Sequence, residues 1–196
     1  RRQRQMCIRD RMLGDHHMSQ KNLFFEGSAH VPLLIMPPQG RSLPHNISVE
    51  APADLVDIYP TILAMAGLSS PVSVSGKNLL EPVPMDRIFF GNSLNRNFCV
   101  MEEKVKLVYS AVGDHVLLFD LNTDPMEQHN LAEDPAWQER KAKLWKLLLE
   151  HTAQYTPEAL DENGQFLTYE APHFPGDVPG RWFGFHYHDY SVDTFH

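Results

Sequence analysis

Three things are scarce in this 196-residue sequence: cysteine, long apolar runs and positive charge. Its two cysteines, Cys7 and Cys99, fit no metal-finger or C-x-x-C spacing, so the sequence does not indicate a disulfide framework. No apolar run is long enough to span a bilayer, and we therefore expect no membrane partner. The formal net charge of −8 argues against non-specific nucleic-acid binding, although a local positive pocket could still hold an anionic substrate.

What the sequence does contain is ordinary for a globular protein. Hydrophobic residues make up 42% and charged residues 21%, which argues against wholesale disorder. A chain of 196 residues can hold one large domain or parts of two.

The chain is organised around the stretch from Leu13 to Pro38. A polar loop carries two adjacent histidines, His16 and His17, and is followed by Lys21 and a small-residue turn. The run from Val31 to Met36 is continuously apolar and closed by prolines, which predicts a strand buried on both faces of an α/β sheet. In α/β proteins, a polar loop that leads into such a strand is a common place for chemistry.

Further along, the pattern predicts a helix from Asp57 to Ala66, with Asp57 as its N-cap and Gly67 as its C-cap. Four short β-branched or aromatic runs then predict an antiparallel sheet: Arg87–Phe90, Phe98–Met101, Val105–Tyr109 and Val116–Leu121. A capped amphipathic helix from Asp134 to Thr152 is expected to pack its Trp137, Leu144 and Leu148 face on this sheet. From Thr156 we expect an irregular surface tail.

Three groups of motifs resemble the sulfatase family of the alkaline-phosphatase-like superfamily. The first group is Leu13-Gly14-Asp15-His16, Lys21, Phe25-Glu26-Gly27-Ser28 and Val31-Pro32-Leu33, with His30 where the family usually has Arg. The second is Val56-Asp57-Ile58-Tyr59-Pro60-Thr61-Ile62-Leu63 with Ala66-Gly67. The third is Leu118-Phe119-Asp120-Leu121, Asp124-Pro125, Glu127 and Asn130-Leu131-Ala132. Each is weak alone, but their order makes the resemblance specific.

The resemblance implies a truncated α/β (alkaline-phosphatase-like) fold: the end of the main α/β domain, then a small C-terminal α+β subdomain with an antiparallel sheet and a packed helix. It implies the C-terminal portion of a hydrolase of sulfate esters, acting on a sulfated small molecule or sulfated carbohydrate. The family's formylglycine motif, C/S-x-P-S-R, does not occur in this chain. We therefore expect the nucleophile and the Ca²⁺ ligands in a missing N-terminal part, and this chain alone to be inactive. The alternatives are a phosphodiester or phosphonate monoester hydrolase, or a non-catalytic binding protein.

The candidate catalytic residues are Lys21 and His16. The resemblance implies that the Lys21 ammonium contacts the sulfate, because a compact charge with three donors suits a developing anion. His16 would act as a general acid or support the loop through hydrogen bonds. No metal ligand and no cofactor-binding residue is predicted in this chain. We interpret Lys106 as structural. Asp120, Asp124 and Asn130 are more typical of turns than of a calcium loop.

The chain is divided into four parts by these patterns. They are a basic segment at 1–11 that we interpret as foreign and adapter-derived, the C-terminal part of the catalytic α/β domain at 12–84, the sheet-plus-helix subdomain at 85–155, and the aromatic and His-rich tail at 156–196. A genuine basic arm is the alternative for the first part. Periplasmic, secreted and cytoplasmic locations all stay open.

Overall fold

A computed structural model describes residues 24–36, 48–49, 51–70 and 72–170. The strands are β1 (Phe89–Ser93), β2 (Asn97–Glu102), β3 (Val105–Ser110) and β4 (His115–Asp120). The helices are α1 (Glu26–Ala29), α2 (Ile58–Ala66) and α3 (Gln138–Tyr155), with 3₁₀ turns at Leu55–Asp57, Pro135–Trp137 and Pro157–Ala159. The chain divides into two compact units, one containing Pro32–Arg87 and the other the described residues on either side of that range. Within the described ranges, no helix is both long and apolar enough to cross a membrane.

The four strands form one antiparallel sheet in the order β1-β2-β3-β4, which confirms the predicted meander. Its register places Cys99 opposite Val108, and Val108 opposite Leu117. The β2–β3 connection is a tight turn in which Glu103 and Lys104 both have positive φ, 51° and 62°. Such turns match the twist of paired strands, so short connections suffice to align neighbouring runs.

One face of the sheet packs against α3, as the sequence predicts. Asp134 caps the helical segment by accepting a hydrogen bond from the Ala136 amide at 2.9 Å. Leu144 and Leu148 are fully buried in the same core as Phe98 and other residues of this face. The helix therefore contributes its apolar stripe to the main core.

The opposite face of the sheet is covered by the chain around α1. Phe25 is buried there with Cys99, Val108, Leu117 and Phe119, and its ring centroid lies 5.9 Å from that of Phe119. The sheet is thus covered on both faces. The segment that covers this second face is distant from the sheet in sequence, since Glu26 and Lys106 are 80 positions apart.

The segment after α3 is more integrated than a surface tail. Phe166 is only 6% exposed and packs between Phe98, Tyr109 and Trp145, and Ala159 is buried in the same core. The expectation of a purely superficial tail is therefore wrong for this part, because one aromatic residue fills space that α3 leaves open on the sheet. The histidines from His173 onward lie outside the described residues.

In the unit containing Pro32–Arg87, the predicted helix is confirmed at Ile58–Ala66, and Gly67 ends it with a left-handed φ of 74°. Asp57 is the N-cap residue of α2 by position, as predicted, but its side chain makes no capping hydrogen bond to that helix. Asp57 is instead fully buried and bonds to the Arg87 guanidinium and to the amides of Lys77 and Asp54. A buried carboxylate is better satisfied by a cation and amides than by one helix end.

The predicted buried strand at Val31–Met36 is also wrong. These residues form no strand, and Leu34 and Met36 are 94% and 88% exposed. A strand buried on both faces needs hydrogen-bonded neighbours on its edges, and no described residues pair with it. The apolar run indicates where a strand could be buried, but it cannot supply the partners that bury it.

Candidate functional site

The candidate site begins with the segment that starts at Phe24, three residues after Lys21 in the chain. From Phe24 to His30 the backbone makes one short helical turn, α1, in which the amides of Ser28 and Ala29 both donate to the Phe25 carbonyl at 2.9 Å. Phe25 is buried against the sheet, while the ring of Phe24 covers Gly91 of β1. A Cβ at Gly91 would lie 2.4 Å from the Phe24 ring, so the glycine allows this close approach.

Lys106 of β3 lies under this segment, and its ammonium has one partner for each of its three protons. It donates to the Phe24 carbonyl at 2.8 Å, to Glu127 Oε1 at 2.9 Å and to Glu26 Oε1. Lys106 and Glu127 are each 3% exposed. Because a Lys ammonium has three donors and no acceptor, the group is fully satisfied without water.

Glu127 joins the segment through its second oxygen. Its Oε2 accepts a hydrogen bond from the Glu26 backbone amide at 2.6 Å, so the carboxylate bridges the Lys106 ammonium and the start of α1. The backbone of Glu127 has a φ of 55°, which a residue with a side chain adopts at a cost of about 1–2 kcal/mol. Strain of this kind persists only where the surroundings fix the residue, which here means the two hydrogen bonds of its carboxylate.

The second carboxylate of the cluster, Glu26, lies closer to solvent. Its side chain is 27% exposed, and its Oε2 lies 2.8 Å from Nδ1 of His30, which is itself 79% exposed. A carboxylate can only accept, so this contact places a proton on Nδ1. His30 stands where the family usually has Arg, and it therefore also donates a hydrogen bond to the Glu26 carboxylate.

The electrostatics of the cluster follow from burial around one cation and two carboxylates. Burial raises the pKa of Glu127, and the neighbouring Lys106 only partly opposes it. Burial alone would raise the pKa of Glu26, but the interactions with Lys106 and then with His30 outweigh that effect and lower the pKa. Burial opposes the charged form of Lys106, yet Glu127 and Glu26 raise its pKa overall. The ammonium therefore stays charged, and its removal would leave two carboxylates close together.

The loop after β4 carries Glu127 to this position. Asp124 accepts from the His129 amide at 2.8 Å, and the Glu127 amide donates to the Asp124 carbonyl at 3.1 Å. Asn130 Oδ1 accepts from the amides of Leu118 and Ala132 at 2.9 and 3.1 Å, which fixes the end of the loop on β4. The turn-forming interpretation of Asp124 and Asn130 agrees with these bonds. Asp120 likewise accepts hydrogen bonds from Asn122 and Thr123 within its own turn.

Lys21 and His16, the predicted catalytic residues, lie outside the described residues, so their assignments remain predictions. The structure adds Glu26, Lys106 and Glu127 as residues that meet directly beside that stretch. Two of them were visible as motif residues, in Phe25-Glu26-Gly27-Ser28 and after Asp124-Pro125, but no pattern in the sequence indicated that they share one ammonium. Lys106 has only a structural interpretation in the sequence, and its burial with two carboxylates agrees with that interpretation.

The residues that the structure describes do not form a calcium site. Throughout the part of the chain that the structure describes, no three His, Cys, Asp or Glu side chains are grouped closely enough to hold a metal ion. In the cluster itself the carboxylate oxygens already accept hydrogen bonds from Lys106, from His30 and from a backbone amide. The donor set of this cluster therefore does not fit Ca²⁺.

Comparison with known proteins relates the chain to sulfatases. It is 35% identical over 162 residues to a choline-sulfatase of Rhizobium meliloti (strain 1021), a match that covers 76% of this chain and 30% of the relative. It is 34% identical over 138 residues to the arylsulfatase K of Bos taurus, which covers 60% of this chain and 25% of the relative. Among solved structures, a 2-O GAG sulfatase matches at 22% identity with a TM-score of 0.46, covering 64% of this chain and 31% of that chain. No protein-family model matches.

These matches make the chain a homologue of the sulfatases, and they confirm the resemblance that its motifs carry. The chain spans about a quarter to a third of the length of the curated relatives it matches. The C-terminal subdomain, an antiparallel sheet with a packed helix, is confirmed by the structure.

Proposed function

We propose that this chain is the C-terminal portion of a sulfatase, an enzyme that hydrolyses sulfate esters. The observation that carries the proposal is the 35% identity to a choline-sulfatase over 162 residues, together with the motif order from Leu13 to Ala132. The proposed substrate is a sulfated small molecule or a sulfated carbohydrate.

The exposed surface of the unit containing Pro32–Arg87 supports the view that the chain is part of a larger protein. Among its described residues only Asp57 and Thr61 are buried, and both are polar. Its large apolar side chains are instead exposed, including Leu33, Leu34, Met36, Leu55, Val56, Ile62 and Leu68. Many exposed large apolar side chains in one unit are typical of a surface that another part of a protein covers, which here would be the remainder of the catalytic domain.

In the proposed enzyme, Lys21 donates hydrogen bonds to the sulfate oxygens and stabilises the charge that develops there in the transition state. His16 lies five residues earlier and either protonates the leaving oxygen or holds the loop. The nucleophile and its orientation would be supplied by a formylglycine residue and Ca²⁺ in the part of the enzyme that precedes this chain.

The test is Lys21→Ala in the full-length parent enzyme, assayed on a chromogenic aryl sulfate. We expect turnover to fall by about 10²–10³-fold, the usual cost of losing one donor aimed at transition-state charge, with an unchanged melting temperature. Lys146→Ala is the matched control, because Lys146 is 78% exposed and its nearest carboxylate is 3.8 Å away. Wild-type turnover in Lys21→Ala would remove Lys21 from the mechanism.

The chain by itself should not hydrolyse a sulfate ester, with or without added calcium, since no C/S-x-P-S-R motif is present to supply the nucleophile. Assay of the purified chain beside size-exclusion chromatography decides this. Sustained turnover by a monodisperse monomer would overturn the proposal that the nucleophile lies in another part of the protein.

A further inference from the structure

We propose that Lys106 is a positioning residue, which with Glu127 fixes the segment from Phe24 to Ala29 and thereby sets the place of Lys21. This inference rests on the proposed function and deepens it. It assigns to the C-terminal sheet a role in catalysis beyond folding, because the sheet would hold one end of the loop that carries the predicted catalytic residues.

Lys106 and Glu127 hold the segment through contacts with its backbone. Lys106 and Glu127 do not bond to each other alone; both reach the backbone of the segment, at the Phe24 carbonyl and at the Glu26 amide. Backbone contacts hold a segment at a defined position whatever its side chains are.

Lys21 is close in sequence to the segment that Lys106 and Glu127 hold. Only Asn22 and Leu23 separate Lys21 from Phe24 in the sequence, so Lys21 belongs to the same short stretch of chain as the fixed segment. A shift of about 1 Å in a catalytic group can lower the rate by about 100-fold. A segment fixed by Lys106 and Glu127 would therefore limit the displacement of Lys21.

The segment from Phe24 to Ala29 is held by packing as well as by charge. Phe25 is 4% exposed and Phe24 covers Gly91, so apolar contacts place the segment on the sheet while the ion cluster fixes its register. The strained φ of Glu127 indicates that the loop after β4 is held in the conformation that brings this carboxylate to the segment.

The experiment compares three variants of the full-length parent enzyme. Lys106→Met leaves Glu26 and Glu127 without their cation. Lys106→Met/Glu127→Met removes the buried pair altogether, which often restores stability because an apolar pair costs no desolvation. Lys143→Met, on α3 at the other face of the sheet, is the control and removes a more exposed ion pair, since Lys143 is 53% exposed and its Nζ lies 2.6 Å from Glu102.

We expect the double variant to melt near the wild-type temperature but to turn over a chromogenic aryl sulfate about 10- to 100-fold more slowly, with a smaller change in KM. Amide hydrogen exchange should accelerate in the peptide covering residues 24–30, while exchange in β2 and β3 stays unchanged. Lys143→Met should match wild type in kcat and in the exchange of residues 24–30.

Two results would overturn the inference. One is wild-type kcat in the double variant, which would reduce Lys106 to a role in stability. The other is unchanged exchange at residues 24–30, which would show that the cluster does not hold the segment. If the wild-type enzyme itself hydrolyses no sulfate ester, the proposed function fails, and the exchange measurement still decides whether Lys106 holds the segment.

Discussion

The buried contact between Asp57 and Arg87 leads to a prediction about the stability of the α2 region. Asp57 is 0% exposed and Arg87 is 13% exposed, and their closest N–O distance is 2.5 Å. The same carboxylate accepts from the Lys77 amide at 2.7 Å and from the Asp54 amide at 2.8 Å. One side chain therefore joins the start of α2, the loop at Lys77 and the end of this unit.

We expect Asp57→Asn to lower the free energy of opening of this region by about 3 kcal/mol. Breaking a buried ion pair by removing one partner costs about 3–5 kcal/mol, and the partial exposure of Arg87 places the loss at the lower end. Because about 1.4 kcal/mol is a factor of ten, the protection of the α2 amides against hydrogen exchange should fall about 100-fold.

The control is Glu81→Gln in the same unit, whose carboxylate is exposed and accepts from Asn78 at 2.8 Å. Its α2 protection should stay within about twofold of wild type, since exposed contacts contribute little. Equal protection in Asp57→Asn and Glu81→Gln would refute the reasoning, because it would mean that the buried carboxylate does not hold the helix in place.

The pH dependence of the same region has a definite sign. Burial acts to raise the pKa of Asp57, but hydrogen bonds from Arg87, Lys77 and Asp54 outweigh it and lower the pKa below its ordinary value of 3.8. A carboxyl with a depressed folded-state pKa contributes stability that is complete above 3.8 and is lost as the pH falls through the folded value. Protection of α2 in wild type should therefore drop on acidification below about pH 4, and this drop should be absent in Asp57→Asn.

Three further changes test the fold. Leu148→Ala should cost about 2–5 kcal/mol in urea unfolding followed by tryptophan fluorescence, because Leu148 is 1% exposed in the main core. In a Cys7→Ser background, Cys99 should react with a thiol reagent at pH 8 only as the sheet unfolds, since burial raises its pKa to about 12. Gly76→Ala should increase hydrogen exchange in α2, because a Cβ there would lie 2.0 Å from the Val56 carbonyl oxygen, and backbone cannot yield as a flexible side chain can.

Each of these three predictions has an outcome that would contradict it. Leu167→Ala, at a 37% exposed site, is the control for Leu148→Ala, and equal losses would argue against the assignment of Leu148 to the core. Rapid labelling of Cys99 in the folded protein would show that its face of the sheet is open. Unchanged exchange in α2 after Gly76→Ala would mean that the loop at Lys77 can move away from Val56.

Local patterns account for most of the elements. Short β-branched or aromatic runs separated by turn residues predict four strands, and the observed strands differ from the predicted runs by a few residues at their ends. Asp134 followed by Pro135 predicts the start of the α3 region, and Gly67 predicts the end of α2, because caps and left-handed residues act over one turn. Homology to sulfatases was likewise readable from short motifs, since those depend on residue order alone.

The errors arise where a residue's role depends on a distant partner. Asp57 has the sequence signature of a helix cap, yet its partner is Arg87, 30 residues further along. The apolar run at Val31–Met36 predicts a buried strand, but its side chains are exposed because no described strand pairs with it. Phe166 lies in a stretch without periodicity and nevertheless fills the core.

The sequence by itself determined the four strands of the sheet, α2, α3 and the kinship with sulfatases, because each of these depends on residues that are close in the chain. Only the tertiary structure brought Glu26, Lys106 and Glu127 together, with Lys106 and Glu26 separated by 80 positions and Lys106 and Glu127 by 21. The physical reason is that a buried ammonium must find an acceptor for every proton, and which acceptors it finds is decided by how the sheet, the turn at α1 and the loop after β4 pack.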